Sequence, residues 1–171
     1  MKLPLALVTL ATFSLSASAL LTSHLWDLLE CVNKVRAGYA AYSFAIKYYP
    51  DDIGIHVSAL FDLLLVTNGA TYEAEKLRVL DNDDFLGFFL TFSDINDGTQ
   101  EVLKRAVEAA PQIAPEDRES IAHGLEEQAG TLDRFGLQIC AKVPAEHIEL
   151  TYALFDLMIN GTLEAASAIR G

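Results

Sequence analysis

The groups that could do chemistry in this 171-residue chain are four histidines, two cysteines and 24 acidic side chains. His24, His56, His123 and His147 lie on separate segments, with no HExxH pair and no two at ligand spacing, so no metal site is expected. The clusters Asp81-Asn82-Asp83-Asp84 and Asp94-Ile95-Asn96-Asp97-Gly98 have the composition of calcium loops. They lack the alternating ligands and distant glutamate of an EF-hand, and read instead as helix-start carboxylates and a solvated face. No Gly-x-Ser-x-Gly elbow, phosphate loop or dinucleotide fingerprint occurs, and nothing singles out two carboxylates as a glycosidase pair. Neither a catalytic residue nor a cofactor is expected. Asn160-Gly161-Thr162 satisfies the N-glycosylation rule, which makes Asn160 a candidate acceptor.

The first residues read as a secretory signal: Lys2, the apolar run Leu3 to Phe13, and small residues ending in Ala17-Ser18-Ala19. Cleavage after Ala19 would leave residues 20–171 as one domain, secreted and extracellular. The formal net charge of −12 repels nucleic acid and anionic membranes.

Helical periodicity dominates that domain. Leu25, Leu28, Val32, Val35, Tyr39, Tyr42, Ile46 and Tyr49 recur at steps of three and four, one stripe of a long helix stopped by Pro50. Asp51 and Asp52 open a second helix from Ile53 to about Val79, and Asp81 to Asp84 a third. The third carries Phe85, Phe88, Phe92, Ile95, Val102 and Ala106 and ends near Pro111. Pro115 opens a fourth, with Ile121, Leu125, Leu132, Phe135 and Ile139 inward; Pro144 opens a fifth, with Ile148, Tyr152, Phe155, Ile159, Leu163 and Ala166 inward. The expected fold is all-α, a five-helix antiparallel up-and-down bundle. In that topology Cys31 and Cys140 fall at one end. A disulfide between them is the favoured reading in a secreted chain, with two buried free thiols the alternative.

One stretch exceeds what a bundle helix needs. Between Phe85 and Phe92, Leu86, Phe89 and Leu90 widen the inner stripe until more than half the circumference is apolar, and residues 59–66, ALFDLLLV, do the same on the second helix. Such a helix is either enclosed by neighbours or faces another apolar body. If the starts of the third and fifth helices and the end of the fourth meet, Phe85, Phe88, Phe89, Phe92, Phe135, Ile139, Tyr152 and Phe155 are candidates to line a ligand cavity between helices. The expected function is then non-enzymatic binding of apolar ligands, fatty acids or similar lipids. The alternative is an adhesion or effector protein that presents its apolar excess on an outer face, to hydrophobic surfaces or to a partner.

The segments FLTFSDINDGTQEVLKRAVEAAPQI and GLEEQAGTLDRFGLQICAKVPAEHIELTYALFDLMINGTLEAASAI resemble the fungal hydrophobic surface-binding protein A and cell wall galactomannoprotein family. The likeness rests on Ser93-Asp94-Ile95-Asn96 within a long helix, the Lys142-Val143-Pro144 step, and an Ala-rich last helix. It implies adsorption to hydrophobic surfaces with recruitment of a secreted lytic enzyme such as cutinase, or sequestration of fatty acids in a helical bundle. The chain departs from that family in its cysteine pair, its clustered phenylalanines, and its lack of a Ser/Thr-rich tail, which places cell-wall attachment in question.

Overall fold

The computed structural model describes residues 23–49 and 52–171. The expected signal segment with its cleavage site, together with Pro50 and Asp51, lies outside the described residues. Among those described, α1 (Ser23–Tyr48), α2 (Ile53–Glu75), α3 (Asn82–Ala109), α4 (Pro115–Cys140) and α5 (Ile148–Arg170) form the bundle, joined by 3-10 turns at Ala110–Gln112 and Ala145–His147.

The helix boundaries have local causes. Asp52 caps α2 by accepting from the Ile55 amide at 3.1 Å. Asp81 precedes α3, with Asp83 and Asp84 in its first turn, where carboxylates suit the positive end of the helix dipole. Pro115 occupies the first turn of α4, where its missing N–H costs nothing. The second helix stops at Glu75, short of the expected Val79. Lys142 explains this: its ammonium takes the Glu75 carbonyl at 2.8 Å, and its own carbonyl takes the Leu80 amide at 2.7 Å. The chain is thereby drawn off the helix axis and tied to the end of α4.

Successive helices alternate in direction, yet they do not sit side by side in chain order. The five close a ring in the order α1, α2, α4, α5, α3. The α1–α2 and α4–α5 pairs are antiparallel, as the Lys34–Glu73 and Tyr42–His56 contacts and the Phe135–Phe155 and Arg170–Glu119 contacts require. The α2–α4 pair is parallel, with Thr67 beside Gln128 and Glu75 beside Lys142. So is α3–α5, with Phe85 beside His147 and Gln100 beside Leu157.

Inner faces largely follow the expected stripes. Leu25 through Ile46 are buried, but Tyr49 lies beyond the helix end and is exposed. On α5 the buried face is turned by about one residue: Thr151, Phe155, Met158, Thr162, Ala165 and Ile169 point inward, while Ile148 and Leu163 are exposed. A threonine can occupy a helix core because its hydroxyl bonds the carbonyl one turn back, as Thr162 does to Met158 at 2.8 Å.

The expected disulfide is absent. Cys31 and Cys140 are both free and buried, although they sit at the same end of the bundle. Helices α1 and α4 are not neighbours in the ring. Cys31 lies in the α1–α2 seam beside Glu73 and Leu77, whereas the Cys140 thiol points at the Ile148 carbonyl, 3.9 Å away, in the α4–α5 seam. Burial pushes both thiols up to about 11.

Candidate functional site: the phenylalanine cluster and its outer groove

The ring order brings together most of the residues expected to line a cavity. Phe88 and Phe92 lie 5.5 Å apart between ring centroids, Phe92 and Phe155 4.6 Å, and Phe135 meets Phe155 edge-on at 5.6 Å. Phe85 joins from the end of the bundle, 6.4 Å from Phe88 and stacked on the His147 imidazole at 3.8 Å. Ile139 is buried in the same core. Phe89 is half-buried, 5.8 Å from Phe85. Alone in the set, Tyr152 stands on the outer side of the α4–α5 seam, where its hydroxyl donates to Asp133 at 2.7 Å. That carboxylate pushes the phenol's titration upward.

Packing is close where α4 meets α5. A methyl group at Gly136 would come within 2.8 Å of the Phe155 ring and 3.1 Å of its Cβ, so α4 and α5 touch through a glycine at the cluster's centre. Open volume lies on the outer side of the same seam. A groove of about 590 Å³ runs along the α4–α5 seam, bounded by Leu137, Ile148, Glu149, Tyr152, Ala153 and Asp156. Its size is that of a small-molecule site. Its floor is the helix pair whose inner faces carry Phe135, Ile139 and Phe155.

The apolar excess of α3 and α2 is exposed to solvent. Leu86 and Leu90 are 64% and 58% exposed, so α3 is a member of the ring with a bare outer face, not an enclosed central helix. On α2, Val57, Phe61, Leu65 and Tyr72 form an exposed row. By length and composition α2 could cross a membrane, and 28% of its apolar window is buried. A further groove of about 460 Å³ lies between α2 and α4, lined by Phe61, Leu64 and Leu65 but also by Glu127 and Arg134.

Three of the four histidines have structural contacts, His147 through its stack on Phe85. His56 is buried, its Nε2 donating to the Tyr49 carbonyl at 2.9 Å, and His123 faces Glu126 and Glu127. Asn160 is exposed on α5, while Thr162 of its sequon is buried.

Beside Tyr39 of the first stripe, the core holds three polar residues that no apolar stripe contains. Tyr39, Thr67, Gln128 and Thr162 enter the core from α1, α2, α4 and α5. The available signal was the gap between Leu125 and Leu132 in the fourth stripe, which Gln128 fills.

Three solved structures share this architecture. Ligand-binding domain 1 of the Penicillium marneffei MP1 protein, complexed with arachidonic acids, superposes with a TM-score of 0.78 at 12% identity, over 85% of this chain and 98% of that one. Domain 2 of the same protein, with multiple arachidonic acids, gives 0.78 at 13% identity over 85% and 95%. A second structure of domain 2 with arachidonic acids gives 0.79 at 12% identity over 89% and 98%. The likeness is one of fold. No family model and no curated protein matches the chain, so the resemblance to hydrophobic surface-binding protein A has no match in sequence behind it.

Proposed function

We propose that this chain is a secreted, non-enzymatic binder of long-chain apolar ligands, fatty acids or lipids of similar form, held between its helices. The observation that carries the reading is the apolar α4–α5 groove of about 590 Å³, lying against the pair of helices that holds the phenylalanine cluster. The arachidonic acids bound by two domains of the same architecture, in three structures, support it. Binding here is burial without bond-making. Each methylene withdrawn from water contributes about 0.8 kcal/mol, so affinity rises about fourfold for each one buried. The ligand's chain inserts along the seam by parting α4 from α5, which touch through Gly136 and Phe155.

Displacement of a fluorescent fatty-acid analogue from solvent-extracted protein tests this. Affinity should climb with acyl-chain length, and Leu137→Asp, at an exposed groove position, should weaken it. Long-chain acids that fail to displace the probe, or a Leu137→Asp protein that binds as well as the parent, would reject the reading. A second reading, adhesion to hydrophobic surfaces or docking of a partner enzyme, is favoured by the exposed rows on α2 and α3. Under it, Phe61→Ser with Leu65→Ser abolishes adsorption to octyl-coated beads while leaving fatty-acid binding intact.

A further inference from the structure

Four helices meet in a hydrogen-bonded layer at mid-bundle. Thr67 donates back to the Leu63 carbonyl at 2.8 Å and receives the Gln128 amide nitrogen at 3.0 Å. Thr162 donates to the Met158 carbonyl and lies 3.3 Å from the Tyr39 hydroxyl, so the phenol supplies the proton in that contact. Both threonine hydroxyls and the phenol thus have their protons committed, and Gln128 Oε1 is left fully buried with no hydrogen-bond partner. On α3, Asn96 Oδ1 is likewise buried without a partner. It lies one helical turn before Gln100, whose amide bonds the Leu157 carbonyl near the level of Thr162. Buried amide oxygens are costly to leave bare, and both of these accept protons without donating any.

This inference rests on the lipid-binding reading and adds the headgroup. We propose that the mid-bundle layer is a recognition site for a neutral hydroxyl: the head of a fatty alcohol or a hydroxylated lipid donates to Gln128 Oε1, and an ionised carboxylate is disfavoured there. A carboxylate offers lone pairs to an oxygen that already has no donor, inside a chain of net charge −12. Phe135 and Ile139 follow Gln128 on α4 by roughly 10 and 16 Å along the axis, so a tail leaving the layer would run against the phenylalanine cluster.

Solvent-extracted protein titrated at pH 8 with 1-hexadecanol, its methyl ether and hexadecanoate tests the assignment. The alcohol should bind about tenfold tighter than either of the others, the worth of one good buried hydrogen bond. Gln128→Leu should erase that preference with helical circular dichroism unchanged. Thr67→Val, which releases the amide to turn its N–H groups inward, should narrow the gap to the carboxylate. Carboxylate binding as tight as the alcohol's, or a preference that survives Gln128→Leu, overturns the headgroup assignment and leaves lipid binding standing. Equal binding of alcohol and ether gives the donor's place to water and also overturns it. Failure of all three lipids to bind overturns this inference and the lipid reading together.

Discussion

Two glycines on one helix should respond to the same substitution with opposite sign. Gly130 and Gly136 both lie within α4. A Cβ at Gly130 meets nothing within 4 Å, so Gly130→Ala removes unfolded-state freedom at no cost in contacts and should stabilise by about 0.5–1 kcal/mol. At Gly136 the added carbon meets Phe155 Cγ at 2.8 Å and its Cβ at 3.1 Å, atoms at the root of the side chain that cannot swing clear. Phe155 in turn is held by Phe92 at 4.6 Å and Phe135 at 5.6 Å, so the shift spreads through the cluster. Overpacking costs about 1–3 kcal/mol and the helix-propensity gain returns about 1, leaving a net loss of up to about 2 kcal/mol. Urea denaturation of each variant, read by circular dichroism, measures both. Phe155→Ala should cost less in the Gly136→Ala background than on its own, because it removes the Cγ that the new methyl group meets. Stabilisation by Gly136→Ala comparable to that by Gly130→Ala would refute the claim that the aromatic cluster is filled.

The remaining predictions concern single groups. Denatured, unreduced protein should titrate two free thiols, and the folded protein should react slowly with iodoacetamide at neutral pH, since both thiols are pushed up to about 11 and so stay protonated. Asp52→Ala should cost about 1 kcal/mol in a denaturation experiment by removing the α2 cap. Arg170 lowers the titration of Glu126, so Arg170→Ala should move that carboxyl's NMR titration upward toward an ordinary value.

Helix number, helix starts and most of the core were legible in the chain because each rests on a local signal: aspartates and prolines at the N-termini, and apolar residues at steps of three and four. The ring order was not. Nothing local states that α2 packs on α4 and that α3 closes the circle between α1 and α5, and that order separates the two cysteine seams. The early end of α2 depends on Lys142, a residue 67 positions away from the Glu75 carbonyl it takes. The turn of the fifth stripe was not legible, because apolar size points to the wrong face: Ile148 and Leu163 are larger and more apolar than Thr151 and Thr162, yet the threonines are the buried residues. The phenylalanine cluster was legible residue by residue, whereas its tightness depends on Gly136, whose partner Phe155 lies on another helix.

Native mass spectrometry of the purified protein, before and after solvent extraction, tests the lipid-binding claim most directly. The account predicts a mass increment of one long-chain lipid that extraction removes and added lipid restores. A protein that carries no increment, and gains none when long-chain acids and alcohols are added, would contradict it.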